Sequence, residues 1–434
     1  MRPSVLLASA SAGGTIAAVR HLGASGIDVR IISSRRLGAA AWSRHAARSY
    51  SAPPESENQR FIDRLLAIGR ADPGQILLPT SDETAWLYTL NAALLNPHFC
   101  VYQPPIDTMR RLLDKKLFAD AASRVGLAIL PSWDPCSRED IAALAPTLPY
   151  PILIKPRTHV HRLRNDKGIV VQSAGELIKQ YQQFVTREQT RAADNKLMPD
   201  AGTPILQQFV NVANEGVQSI TGFVDRTQQL FITRRSTKVF QRSHPMGVGV
   251  CFESLPAEPV LAQAIHRLCQ ETGYFGIFEV EFVRFEGKWA TIDFNPRLFN
   301  QIEIDIRRGM PLPLLACLDA AGETAALREA VAKAQAKDEV GRTVLHDWFT
   351  MHLILFAQTI TSRISPKDRA FWRDWMKQNA ADAIDIALDV SDPMPGIIHT
   401  LSETYLGLKA FPRFLQLTPK ASSDFASSIA RARP

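Results

Sequence analysis

Two short runs decide the fold: Phe278-Glu279-Val280-Glu281-Phe282 and Ile292-Asp293-Phe294-Asn295-Pro296-Arg297. Both alternate acidic or amide residues with apolar ones at the period of two that a β-strand imposes. Glu279 and Glu281 therefore share one sheet face, and Asp293 and Asn295 share one face of the next strand. Glu286-Gly287 is a turn signal between them, so the two strands pair as a hairpin. Oxygen ligands from Glu281, Asp293 and Asn295 then converge, while Phe278, Val280, Phe282 and Phe294 bury on the other face. Few, hard oxygen donors suit Mg²⁺, which keeps waters and completes its shell from nucleotide phosphates. Arg297 continues the alternation at the strand end, placed to stabilise a transferring phosphate or, more plainly, to bridge to a neighbouring acid. An ordinary surface hairpin with an acidic outer face would bury the same phenylalanines, so the surroundings must decide.

Upstream, short apolar runs alternate with helical patterns, as in an open parallel α/β sheet. Residues 5–8 predict a buried strand, Ser9 to Gly14 a small-residue loop, Thr15 a helix N-cap and residues 16–22 the helix. Val29–Ser33 is the next strand, and residues 76–79 followed by Thr80, Ser81 and Asp82 repeat the strand-then-cap pattern. The loop holds only Gly13 and Gly14, so it predicts a tight turn rather than the G-x-G-x-x-G dinucleotide fingerprint. Gln103-Pro104-Pro105-Ile106-Asp107 marks a boundary. Leu112, Leu113, Leu117, Phe118 and Ala121 then predict one helix over 108–125, closed by Gly126. Residues 150–156 form an apolar strand ending on a lysine; 169–172, 205–210, 219–224, 230–233, Gly276–Phe285 and 288–294 read as further strands. The polar stretch 188–204 predicts a loop or a poorly ordered insertion. Beyond about residue 330 the pattern is helical. Ser365-Pro366-Lys367-Asp368 is a start signal, with Phe371, Trp372, Trp375 and Met376 on one face.

The chain has 434 residues, enough for about three domains at roughly 150 each. Hydrophobic content of 46% and charged content of 21% exclude a mostly disordered chain. Cys100, Cys136, Cys251, Cys269 and Cys317 form no C-x-x-C pair, which argues against a zinc ribbon, a thioredoxin motif and a secreted disulfide framework. A net charge of +7 raises nucleic acid as a partner, but aromatics do not interleave with the cations as stacking platforms would. The two densest basic clusters, 155–167 and 234–242, read either as a solvated basic face or as contacts for a small phosphorylated ligand. The first residues carry too short an apolar run for a signal peptide, and no later run is long enough to span a membrane. The expectation is a reduced, cytoplasmic protein.

The run Thr291-Ile292-Asp293-Phe294-Asn295-Pro296-Arg297 resembles the end of the ATP-grasp fold, where an acid-x-Asn-x-Arg stretch follows an acid-bearing strand. Biotin carboxylase and D-alanine–D-alanine ligase carry similar pairs. Other landmarks stand in the family's order. Asp114-Lys115, on the predicted helix, is similar to the first nucleotide-binding lysine. Ile154-Lys155-Pro156 resembles the strand-end lysine that reaches the phosphates. Ile205-Leu206-Gln207-Gln208-Phe209-Val210 resembles the adenine-holding hinge, with Gln207 and Val210 as contacts and Glu215 at the ribose. The resemblance covers residues 1 to about 325.

It implies an α/β protein, α+β in its central part: an open parallel-sheet domain (1–106), a two-lobed ATP-grasp domain (107–330) and a helical C-terminal extension (331–434). It further implies ATP with Mg²⁺ (or Mn²⁺), Lys115 and Lys155 on the nucleotide phosphates, and Glu281, Asp293 and Asn295 on the metal. Lys155 and Arg297 are the expected catalytic residues. The expected reaction joins a small carboxylate to an amine through an acyl phosphate, as in enzymes of the carbamoyl-phosphate synthase and D-aspartate ligase type. A kinase of a small anionic substrate and a nucleotide-binding regulatory protein are the alternatives. The C-terminal hundred residues could cap the site, form a homodimer interface or dock a carrier.

The sequence also departs from the family. The flap after Lys155 usually relies on glycines, whereas here it carries Arg157, Arg162, Arg164 and Lys167 with the single Gly168. His159 and His161 read as an exposed loop pair rather than zinc ligands, since no third ligand is nearby. Gln207 stands where the hinge often has Glu. Arg157, Arg234 and Lys238 are candidate substrate contacts, and Tyr274 and Trp289 packing residues.

Overall fold

The computed structural model describes residues 4–160, 168–192, 197–211, 216–241, 247–337, 341–362 and 364–416. The first apolar runs become β1 (Val5–Leu7), β2 (Val29–Ser33), β3 (Ala46–Ser51), β4 (Gln75–Leu77) and β5 (Phe99–Val101). They pair in parallel in the order β3-β2-β1-β4-β5. Val5 and Leu7 enter one core with the helix Gly13–Ala24, and Leu6 enters another with the helix Asn58–Ala71, so the sheet is covered on both faces.

The strand order reverses between β1 and β4, where open sheets usually take ligands. Here that crevice is filled from within the chain. The Leu298 amide donates to the Pro79 carbonyl at 3.1 Å, and Asn300 Oδ1 accepts from the Gly13 amide at 3.2 Å. A Cβ on Gly14 would lie 2.2 Å from the Phe299 carbonyl oxygen, so the small-residue loop exists to admit this segment. Thr15 is accordingly not the N-cap. The helix starts at Gly13, and Thr15 Oγ1 donates to the Ala8 carbonyl at 3.4 Å.

Twelve more strands follow: β6 (Ala128–Ile129), β7 (Ser132–Trp133), β8 (Ile152–Lys155), β9 (Ile169–Val171), β10 (Ile205–Gln208) and β11 (Val217–Val224). Then come β12 (Phe231–Gln241), β13 (Gly249–Leu255), β14 (Gly276–Phe285), β15 (Lys288–Asn295), β16 (Val344–His346) and β17 (Ile384–Asp385). A small antiparallel sheet has the order β7-β10-β8-β9, and a large one the order β17-β16-β13-β12-β11-β14-β15-β6. The β14–β15 turn uses Glu286 at φ 48° and Gly287 at φ 76°, the pair of left-handed residues that suits a tight hairpin. Phe278, Val280, Phe282 and Phe294 pack with Ile265 and Leu268 of the helix Pro259–Thr272 and with Phe118. The buried Tyr274 and the half-buried Trp289 join this packing, as expected.

Several local expectations change. The helix predicted over 108–125 is two helices, Ile106–Leu113 and Lys115–Arg124, broken at Asp114. Asp114 Oδ1 accepts from the amides of Lys116 at 2.9 Å and Leu117 at 3.2 Å, which caps the second helix and starts it at Lys115. The strand expected over 230–233 runs to Gln241 because β11 and β13 pair with it on both sides. Part of the predicted 188–204 loop is helix, since Ala174–Ala192 continues into it. The C-terminal segment is mainly helical but also supplies β16 and β17 to the edge of the large sheet. Ser365 caps Pro366–Asn379 as predicted, and Trp372, Trp375 and Met376 are buried. Among the described residues no helix is long and apolar enough to cross a membrane.

Candidate active site

The face of the large sheet opposite the phenylalanines is polar. Glu281 pairs in register with Asp293 and Glu279 with Asn295; across the other edge of β14, Ser219 faces Glu281 and Thr221 faces Glu279. Residues directly opposite on antiparallel strands lie side by side on one face, so the pattern read from the two runs is realised. The contacts differ from the expected convergence. Asn295 Nδ2 donates to Glu279 Oε2 at 3.0 Å, and Glu279 Oε1 also accepts from Ser219 Oγ at 2.7 Å and from Gln301 Nε2. Asn295 therefore turns toward Glu279, one row away from Glu281 and Asp293.

Glu281 and Asp293 open into a cleft of about 710 Å³, counting its mouth, between the small and large sheets. Leu130, Leu153, Phe209, Val210, Val217, Val283 and Ile292 make its apolar walls; Lys155, Lys238, His159, Gln207 and Gln208 join the two acids at its polar surface. Gln207 is oriented by Ser132 Oγ at 3.2 Å. The pairing register shifts after Glu281, a β-bulge at Ile292, and the Ile292 carbonyl accepts from Lys155 Nζ at 2.7 Å.

Each acid is answered by a lysine. Lys115 Nζ donates to Asp293 Oδ1 at 2.7 Å, and Lys238 Nζ donates to Glu281. Lys115 and Lys155 are only 5% and 8% exposed, so their charges are largely out of water. Burial opposes the charge on Asp293, but Lys115, with His159 and Lys155, outweighs it and holds this carboxyl well below the usual carboxylate range. Burial also opposes the charge on Lys238, yet Glu281 and Glu279 raise its pKa above the ordinary lysine value. Glu279 goes the other way: burial and the neighbouring Glu281 push it up, against Lys238, Ser219 and Gln301.

Other predicted residues are placed elsewhere. Arg297 Nε donates to Asp82 Oδ1 at 2.7 Å and Nη2 to Asn295 Oδ1 at 3.0 Å; it does not line the cleft. It bridges to an acid, Asp82, which follows β4 of the first sheet. Arg157 is buried against Asp134, Asp114 and the Thr203 carbonyl, and Arg234 Nη2 donates to the Ala334 carbonyl at 2.7 Å. Neither lines the cleft, because both are engaged in fastening elements together. His159 is no exposed loop residue: its Nε2 lies 3.7 Å from Asp293 Oδ2. Glu215, His161, Arg162, Arg164 and Lys167 lie outside the described residues. Glu279, Gln301, Asp82 and His159 are the site groups the motifs did not assign. Only Glu279 carried a signal, its place on the same face as Glu281.

No protein-family model matches this sequence, and no curated protein matches it either. Solved structures do. The biotin carboxylase of Campylobacter jejuni, described as a beta-gamma-ATP complex, is 17% identical and superposes with a TM-score of 0.61 over 74% of this chain and 71% of its own. The chain has the ATP-grasp fold. The ATP-grasp likeness extends to the biotin carboxylase domain dimer of the Hydrogenobacter thermophilus 2-oxoglutarate carboxylase, described with magnesium ADP and bicarbonate. That structure is 16% identical, with a TM-score of 0.60 over 74% of this chain and 70% of its own. An L-amino acid ligase of Bacillus licheniformis is 14% identical, with a TM-score of 0.54 over 74% of this chain and 75% of its own.

Proposed function

We propose that this protein is an ATP-dependent ligase that joins a small carboxylate to an amine through an acyl phosphate, releasing ADP and phosphate. The observation that carries the reading is the cleft between the two sheets, apolar along its walls and lined at its polar surface by Lys155, Lys238, Glu281 and Asp293, with Lys115 bonded to Asp293 behind that lining. The proposed division is residues 1–106, 107–330 and 331–434. In this reading Gln207, Val210 and the apolar walls hold the base, with Glu215 on the ribose, while Lys115, Lys155 and Lys238 face the phosphates. Each Lys–carboxylate pair already holds a cation opposite an anion in a desolvated place. An anionic phosphate and a divalent cation would meet a counter-charge there without further rearrangement of the fold.

The donor set fits Mg²⁺ or Mn²⁺. Among the described residues no three His, Cys, Asp or Glu side chains gather into a metal centre of their own. One or two carboxylates with the rest of the shell from phosphates is how Mg²⁺ is usually held, and Glu281 and Asp293 supply those carboxylates. When bound, the ion neutralises phosphate charge. Asn295, anchored by Glu279 and Arg297, enters as a residue that orders this corner, and Arg297 as a positioning residue for it. A carboxylate oxygen attacks the γ-phosphorus as the bond to the leaving ADP oxygen breaks. The amine then attacks the acyl carbon, and phosphate leaves.

Asp293→Asn keeps the shape and removes the charge. It should reduce amine-dependent ADP release at least a hundredfold while leaving the far-ultraviolet dichroism unchanged. Turnover within twofold of the parent, or ADP release by the parent that proceeds in chelator without added metal, would overturn the assignment.

A further inference from the structure

The helix Met394–Gln416 shows solvent an apolar stripe: Met394 is 38% exposed, Ile397 48%, Leu401 53%, Tyr405 61% and Leu408 71%. At 100° per residue these five positions fall within about 80° of the helix circumference, so they form a single line. The helix Trp348–Ile360 packs beside it, with Leu353 against Gly407, and leaves Phe356 and Ile360 62% and 47% exposed. That second helix, WFTMHLILFAQTI, contains no Asp, Glu, Lys or Arg, yet only Thr350 and Met351 in it are buried. A helix apolar nearly all round is normally covered on all sides. The seven side chains expose on the order of 700 Å², more than most monomers leave in one patch and close to the ~800 Å² per partner of a standard interface.

The spacing of the stripe suits a second copy of the same helix. Its steps are three, four, four and three residues, which read the same from either end. Turned about a two-fold axis at Leu401, Met394 meets Leu408, Ile397 meets Tyr405, and Leu401 meets Leu401. An isologous contact sets the same patch against itself, and this spacing lets each apolar position meet another across the axis. We propose that the stripe pairs antiparallel with the same stripe of a second copy of this chain, making a homodimer whose axis passes through Leu401.

Sedimentation of the full chain tests it. The parent should sediment at twice the 48.2 kDa chain mass at micromolar concentration, and Leu401→Glu, which sets two carboxylates face to face on the axis, at the single mass. If Leu401→Glu does not fold, Leu401→Cys in a Cys136→Ser background keeps the question open to measurement. Mild oxidation should then give a dimer linked through residue 401, and the same oxidation of Tyr405→Cys in that background should give much less. A monomeric parent without cross-linking would overturn the proposal. So would a dimer that survives Leu401→Glu, dimerisation that begins only when residues 417–434 are removed, or a stripe that binds lipid vesicles as a monomer.

Discussion

At the scale of single residues, Lys155 connects sequence to chemistry most directly. It ends β8, is 8% exposed, and directs its ammonium into the cleft, where the bulged Ile292 carbonyl accepts from it. Lys155→Met keeps the stem and deletes the charge. Turnover or ATP affinity should fall at least tenfold, about 1.4 kcal/mol or more, a range expected for a lost contact to a charged group; steady-state ADP release measures it, and equal kinetics would remove the lysine from the site. This residue was legible because an apolar run that stops on a lysine before proline can hardly be anything but a strand end. Asn295 was half legible. Alternation placed it on the correct face, but register pairs it with Glu279 rather than with Glu281, and register is a property of two strands that neither run states alone. Arg157 and Arg234 sit away from the cleft for a related reason: the partners of a cation in a basic cluster, here Asp134 and the Ala334 carbonyl, arrive from distant segments.

At the scale of elements, strands with strict alternation were readable to within a residue or two, and Gly276–Phe285 and Val29–Ser33 needed no adjustment. β12 was read too short because its length is set by β11 and β13 on either side, not by its own polar sequence. The break at Asp114 escaped notice because Leu112, Leu113, Leu117 and Phe118 keep helical spacing across it. Helix contacts also carry a pH dependence. His399 of the helix Met394–Gln416 sits with its Nε2 2.9 Å from Asp347 Oδ2, and Asp347 caps the helix Trp348–Ile360. Burial lowers the pKa of this imidazole, but Asp347, aided by Glu403 and Asp385, raises it above the ordinary histidine value of 6.5. A raised folded-state pKa means that the contribution is complete below the unfolded value and is lost as pH climbs through the folded one. Thermal melting should therefore show the parent's advantage over His399→Gln shrinking as pH rises above 6.5 and through the raised folded-state value. A pH-independent difference would contradict the ion pair.

At the scale of the whole molecule, three sheets are held in one arrangement by contacts that span most of the chain. Arg20 bonds to Asp392 at 3.0 Å, Gly13 to Asn300, and Asp82 to Arg297, the last joining the first sheet's domain to the corner that holds Asn295. The order of elements, an open parallel sheet ahead of the two later sheets, was legible from punctuation and alternation. The filling of the β1–β4 crevice by Leu298, Phe299 and Asn300 was not, since its partners lie more than two hundred residues apart. Asp82→Ala frees Arg297 without touching the cleft lining, so it should lower kcat for ADP release about tenfold and leave the KM for ATP nearly unchanged. A raised KM at full kcat would show that the bridge serves nucleotide binding instead. The central claim is that the cleft activates a carboxylate by phosphoryl transfer before an amine attacks. Its most direct test gives the enzyme an acid substrate labelled with heavy oxygen in the carboxylate, found by screening acids and amines for ADP release, and follows the label by mass spectrometry. The account predicts one labelled oxygen in each inorganic phosphate, in step with amide formed. Unlabelled phosphate released alongside ADP and amide, or phosphate retained on the organic product, would contradict it.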